Sequence, residues 1–234
     1  MKVVNARRNW HSLAQVVVLL ATVNAGVSAA GVPTARAEPA KTIRIVAFGD
    51  SLTAGYGLKP RHGFPLQLQK ALKARGHDVV VVNAGVSGDT TAAGLERIAW
   101  AVPDGTDAVI LEFGGNDALR GIDPKETRAN LEKIIDSLKE RNISILLAGI
   151  RAPANWGEEY SKAFDVIFPD LADEYGLVFY PFFLDGVVLD PKLNLNDGLH
   201  PNSKGVTEII KRIVPSVEEL IDRASTQRAS ASKG

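Results

Sequence analysis

The sequence predicts a single α/β domain of flavodoxin-like type, a three-layer sandwich built on a five-stranded parallel sheet. Short, continuously apolar, β-rich runs alternate with longer segments of helical periodicity from residue 43 onward. The runs do not alternate in polarity, which is the pattern of strands covered by helices on both faces. A composition of 45% hydrophobic and 23% charged residues in 234 fits a globular chain rather than a disordered or fibrous one, and no internal repeat points to a solenoid.

Taken in order, strands are expected at Ile43–Phe48, Val79–Asn83, Ala108–Phe113, Ile143–Gly149 and Leu177–Tyr180. Between and after them, helices are expected over Phe64–Arg75, Thr91–Ala101, Pro124–Asn142, Glu158–Tyr175 and Ser203–Ala224. Gly76 and Gly176 stand where a left-handed C-cap would end a helix. Asp123-Pro124-Lys125-Glu126 supplies an N-cap acid, a proline at the first helical position and a glutamate at the third. The small, polar residues 225–234 read as a disordered tail.

The first 37 residues differ from the rest. They hold no acidic residue, place Lys2, Arg7 and Arg8 early, and run apolar from Leu13 to Val27. That is the layout of a secretory signal peptide, with small-residue cleavage sites after Ala29 and, as the favoured one, after Ala37. Thr22, Asn24 and Gly26 interrupt the run, leaving it short of the roughly 20 apolar residues of a membrane span. The expected organisation is therefore a signal peptide over 1–37, a folded α/β domain over 38–224 and the tail, with a periplasmic or secreted location and no stable membrane anchor after cleavage.

Cleavage after Ala37 takes four positive charges and no negative ones, leaving 23 basic against 27 acidic side chains, a net charge of −4. No basic patch of the kind that binds nucleic acid is implied. The absence of cysteine excludes disulfides, thiolate nucleophiles and cysteine-ligated zinc together.

In open α/β sheets ligands sit beyond the carboxyl ends of the strands. Those ends carry Gly49-Asp50-Ser51-Leu52, Gly85-Val86-Ser87-Gly88-Asp89 and Gly114-Gly115-Asn116-Asp117, and Asp197-Gly198-Leu199-His200-Pro201 precedes the last helix. A serine hydroxyl needs a neighbouring base, and the base needs an acid to orient it. The Asp-x-x-His spacing lets a tight turn bring the Asp197 carboxylate to one ring nitrogen of His200, while the other meets Ser51 across space. Negative charge developing on a carbonyl oxygen needs preformed donors, for which the candidates are the Ser51 and Gly88 N–H groups and the Asn116 amide. No Gly-x-Ser-x-Gly elbow occurs in the chain. Ser87, the rival nucleophile, reads as a turn residue, Asp50 as a local tie for its loop and Asp117 as a cap for the next segment. His62 and His77 read as solvent-facing or capping. Trp100, Trp156, Phe182 and Phe183 could line an apolar cleft or fill the core. Convergence of Asp50, Asp117, Asp197 and His200 on a divalent cation is the metal alternative, disfavoured because a single imidazole falls at a strand end.

Taken together, the strings GDSLTAGYG, NAGVSGDTTAAGLERI, FGGNDALRG, IRAPANWG and DGLHPN resemble the SGNH (GDSL) hydrolase family, within it the multifunctional acyl-CoA thioesterase I, lysophospholipase L1 and arylesterase subfamily. The resemblance spans Ile43 to about Leu220. It implies Ser51 as nucleophile, Gly88 and Asn116 with Ser51 as the oxyanion hole, Asp197 and His200 as orienting acid and base, no metal or organic cofactor, and the loop Ala118–Asp123 beside the acyl chain. The expected activity is hydrolysis of a small-molecule ester or thioester through an acyl-enzyme, with simple esters or lysolipids favoured by an exported location. A carbohydrate O-acetyl esterase and a catalytically silent lipid- or glycan-binding module are the alternatives.

Overall fold

A computed structural model describes residues 42–231; the expected signal peptide and both cleavage sites lie outside them. Five strands, β1 (Ile43–Gly49), β2 (Val79–Gly85), β3 (Ala108–Glu112), β4 (Ser144–Ala148) and β5 (Val178–Tyr180), form one sheet of order β2-β1-β3-β4-β5. All four pairings are parallel, as the sequence implied, and the order is that of flavodoxin-like sheets. Each of the strand runs expected from sequence lies within two residues of an observed one.

β1 lies between β2 and β3, so the chain reverses its direction of sheet growth there and opens a crevice at the strands' carboxyl ends. In register Gly49 pairs with both Gly85 and Glu112, so three strands end level at the floor of that crevice. The helices α2 (Phe64–Ala74), α3 (Thr91–Ala101), α5 (Pro124–Glu140) and α8 (Ser203–Ala231) bury apolar stripes beside the sheet. Phe48, Ile110, Leu111, Leu131 and Phe168 are among the fully buried side chains between the layers. Asp123 caps α5 by accepting from the Lys125 N–H, with Pro124 as the first helical residue.

Three differences from the expected elements have local causes. The helix expected over 158–175 is two, α6 (Glu158–Asp165) and α7 (Ile167–Tyr175), broken at Val166. Pro169 has no N–H to return to the Asp165 carbonyl, and its ring crowds that carbonyl. The helix expected to run to Asn142 ends at Glu140, because Asn142 takes a left-handed φ of 53° and the Ile143 N–H closes the turn on the Leu138 carbonyl.

The third concerns the expected tail, which through Ala231 is instead a continuation of α8. Ser225, Thr226 and Ser230 return their hydroxyls to carbonyls four residues back. Gln227 accepts from Ser144 Oγ at 2.8 Å and Arg228 Nε donates to Asp107 Oδ1 at 3.0 Å, anchoring the last turns to the amino ends of β3 and β4. Two short helices, α1 (Ser51–Ala54) and α4 (Gly115–Leu119), follow β1 and β3 directly.

Ending the chain after Ala224 removes both anchors and should lower unfolding stability by about 1–3 kcal/mol. Urea denaturation of the shortened and full chains checks it, with an unchanged midpoint counting against a structural role for residues 225–231.

Candidate active site

The site begins at the abrupt turn from β1 into α1. Gly49 is required at that corner because a Cβ there would lie 2.3 Å from Thr53 Oγ1 and 2.5 Å from the Glu112 carbonyl oxygen. Asp50 caps α1 by accepting the Leu52 N–H at 3.0 Å, and Ser51 is the first helical residue. α1 lasts one turn, ended by Gly55 at φ 80°, so Ser51 stays at the crevice floor.

Ser51 Oγ lies 2.9 Å from His200 Nε2, across 149 residues of sequence. On the far side of the ring, His200 Nδ1 is 2.8 Å from Asp197 Oδ2. The other Asp197 oxygen accepts the Leu199 and His200 N–H groups at 2.9 and 3.0 Å, which fixes the carboxylate plane within the turn. Those N–H groups, the His200 one first, and the His200 ring hold the Asp197 carboxyl down at about 2, so it is ionised at neutral pH. An ionised carboxylate only accepts, which places the imidazole proton on Nδ1 and leaves Nε2 to accept the Ser51 hydroxyl. Tyr56 lies against the same imidazole, ring centroids 4.4 Å apart and tilted by 36°.

Asn116, on α4, donates one amide hydrogen to Asp50 Oδ2 at 3.0 Å; an amide carries two, and Asn116 also lines the cleft above Ser51. Gly88 stands on the β2–α3 loop at φ 90°, a backbone state that an L side chain would strain. Its carbonyl accepts from Arg120 Nη2 at 2.8 Å, and it is not among the residues walling the cleft. The loop is held to β1 by Arg97, a buried guanidinium that bonds Asp89 at 2.6 Å and the carbonyls of Ala84 and Gly49 at 2.9 Å each. The Arg97 guanidinium also lies over the Phe48 ring.

A cleft of about 280 Å³ opens over Ser51 and His200. Its walls come from the segments after β1, β3, β4 and β5 and are mostly apolar, with Leu52, Ala118, Ile150, Phe182 and Leu184 among them.

Residues 47–207 match the GDSL-like lipase/acylhydrolase family. The chain belongs to that family. It is a carboxylic ester hydrolase of the serine type. It is 40% identical over 159 residues to an arylesterase of Vibrio mimicus, covering 68% of this chain and 80% of that one. It is 37% identical over 193 residues to the thioesterase 1/protease 1/lysophospholipase L1 of Escherichia coli K12, covering 82% and 90%. The crystal structure of AlinE4, an SGNH-hydrolase family esterase, superposes with a TM-score of 0.66 at 45% identity over 78% of this chain and 98% of that one.

Other polar candidates serve the scaffold. Ser87 is exposed in a turn. Asp117 is buried and, instead of capping the next segment, accepts the Thr91 N–H at 2.9 Å and the Thr91 hydroxyl at 2.5 Å, securing the start of α3. Asp117 therefore points away from any shared site with Asp197 and His200, and among the described residues no cluster of three metal-ligating His, Asp or Glu side chains forms. His62 meets Ser203 Oγ at 3.1 Å and His77 meets Glu218 at 2.9 Å, so both join neighbouring elements. Of the aromatics, Phe182 lines the cleft, Phe183 is fully buried against Phe64, Trp100 is exposed away from the cleft and Trp156 covers Gly121 on the loop after α4. Within the loop Ala118–Asp123, Ala118 and Leu119 reach the cleft.

Two groups escape a reading of the sequence. Tyr56 carries no signal of its contact with His200. Glu112 does carry one, as an acid closing an otherwise apolar strand. It is fully buried beneath Asp50, with Oε2 accepting from Thr53 Oγ1 at 2.8 Å and Oε1 without a hydrogen-bond partner among the described residues. Burial first, and the Asp50 charge second, push Glu112 well above the usual carboxylate range, favouring its protonated form. Burial also raises Asp50, to about 6, against its bonds to Leu52 and Asn116.

Linkage sets the sign of the effect on stability. Between an unfolded value of 3.8 and a folded value of about 6 the folded protein binds more protons at Asp50, so raising the pH across that window destabilises it. The Asp197 shift acts below pH 4 and does not overlap, whereas the raised Glu112 carboxyl adds a fall of the same sign above its unfolded value of 4.5, so Asp50 accounts for only part of the slope. Asp50→Asn should therefore flatten the fall in urea midpoint between pH 4 and 6, and an unchanged slope would show that Asp50 ionises normally in the fold.

Proposed function

We propose that Ser51, His200 and Asp197 act as nucleophile, base and orienting acid in the hydrolysis of carboxylic esters with apolar acyl groups. The observation that carries this is the continuous series Ser51 Oγ, His200 Nε2 and Nδ1, and Asp197 Oδ2, at 2.9 and 2.8 Å, opening onto an apolar cleft. Nε2 removes the Ser51 proton as Oγ attacks the carbonyl carbon. The tetrahedral oxyanion is received by the Ser51 and Gly88 N–H groups and the Asn116 amide, and Asp197 stabilises the imidazolium. His200 then gives its proton to the departing alcohol or thiol, leaving an acyl-Ser51 ester. Water, deprotonated by His200, attacks that ester; the carboxylic acid departs and Ser51 regains its proton. Written this way, the cycle uses no metal or organic cofactor.

Aryl esters, thioesters and lysophospholipids are the substrate classes named for the relatives, and the apolar walls suit acyl chains longer than acetyl better than a carbohydrate O-acetyl group. The layout of residues 1–37 supports export to the periplasm or medium, with residues 38–231 as the catalytic domain. In export the natural substrates are simple esters or lysolipids rather than cytoplasmic thioesters.

The test is turnover of p-nitrophenyl esters of graded chain length. Ser51→Ala and His200→Ala should each lose about 10³-fold or more in kcat, and Asn116→Ala about 10²- to 10³-fold with KM little changed. Near-full activity in Asn116→Ala removes that residue from the oxyanion hole, and turnover confined to the acetyl ester transfers the reading to carbohydrate deacetylation.

A further inference from the structure

We propose that the rim of the catalytic cleft is a docking surface for a phospholipid bilayer, seated through Leu119, Val188, Leu189 and Leu199. These side chains come from three separate segments, α4, the stretch after β5 and the Asp197–His200 turn, and all four line the cleft mouth. Each remains largely in solvent, Leu119 at 50%, Val188 at 46%, Leu189 at 85% and Leu199 at 51% exposure. Single exposed apolar side chains are ordinary on a protein surface; a cluster assembled from separate loops around one opening marks an interaction site.

Leu189 gives the strongest sign. Its φ of 63° lies in the left-handed region, where asparagine and glycine are tolerated and leucine is strained. The chain therefore bears a backbone cost to hold a leucine whose side chain stays 85% exposed. Strain of this kind persists where it serves a site.

The surroundings of the patch favour a bilayer over a protein partner. The apolar rim is continuous with the cleft over Ser51, so a protein seated flat on it would close the route to the nucleophile. A lipid surface presents acyl chains at the opening it covers. Arg151, exposed on the same cleft, lays its guanidinium over Phe182 at 4.9 Å. Among the described residues it has no carboxylate within ion-pairing distance, so its charge is available to lipid phosphates at the depth where the leucines enter the headgroup layer.

The test is co-sedimentation of the full chain with vesicles of equal phosphatidylcholine and phosphatidylglycerol, run beside turnover of a soluble p-nitrophenyl ester. The wild type should sediment with the vesicles. Leu189→Asn, which suits the left-handed backbone and so should melt at or above the wild-type temperature, should bind about tenfold more weakly. Leu119→Ser, at an unstrained position, should weaken binding in the same direction. Failure of the wild type to bind, or equal binding by Leu189→Asn, overturns the proposal. A concentration-dependent dimer that Leu189→Asn abolishes also overturns it, assigning the rim to a second copy of the chain. Vesicle binding with no ester turnover would contradict the proposed catalytic function and leave the docking surface standing, so the two can fail separately.

Discussion

The hydrogen bond between Ser51 and His200 is the constraint on which the arrangement turns, because it joins the first strand to the entry of the last helix. Neither partner could be held by its own segment alone. Ser51 is positioned by the level ends of β1, β2 and β3 and by the glycine corner at Gly49. His200 is positioned by a loop closed on itself: Asn194 bridges Pro201, the Leu195 N–H bonds the His200 carbonyl at 2.7 Å, and the Asn202 N–H bonds the Leu193 carbonyl at 2.8 Å. Asn202 then caps α8 through the Lys204 and Gly205 N–H groups. That helix is clamped at its other end to the amino ends of β3 and β4. The imidazole therefore stands on a rigid frame, the condition under which a preset base contributes most to a transition state.

Beneath that frame lies a costly layer. Asp50 and Glu112 are buried together, and burial opposes charge on both. Burial favours the protonated form of Glu112, while Asp50, raised to about 6, spends its oxygens on the Leu52 N–H and the Asn116 amide. The arrangement sacrifices stability at neutral pH to keep an acceptor under Asn116, so that one amide hydrogen is committed and the other remains for the cleft. Arg97 performs the corresponding task for the Gly88 loop, with its charge matched by Asp89 and two further donors taken by the Ala84 and Gly49 carbonyls.

Much of this was legible in the sequence because the governing signals are local. Five apolar runs marked the strands, and Asp123-Pro124 marked the start of α5. Gly176 marked the end of α7, and the Asp-x-x-His spacing implied a turn that bonds internally. What escaped depends on partners distant in sequence. Residues 225–231 look like a tail until Ser144 and Asp107 are placed beside Gln227 and Arg228. Asp117 reads as a cap for its successor until Thr91 is seen to take both its oxygens. Tyr56 carries no mark of its contact with His200, and the exposure of Leu189 at a left-handed φ is invisible to any pattern of polarity. Pro169 could have been read as a break, since its effect on the Asp165 carbonyl is a local one.

Activation of the Ser51 hydroxyl as nucleophile is tested by covalent trapping with a fluorophosphonate followed by peptide mass spectrometry. Folded wild-type protein should be modified stoichiometrically at Ser51 alone, and His200→Ala should lose that modification. Modification at another serine, or none at all in protein that is demonstrably folded, would contradict that activation.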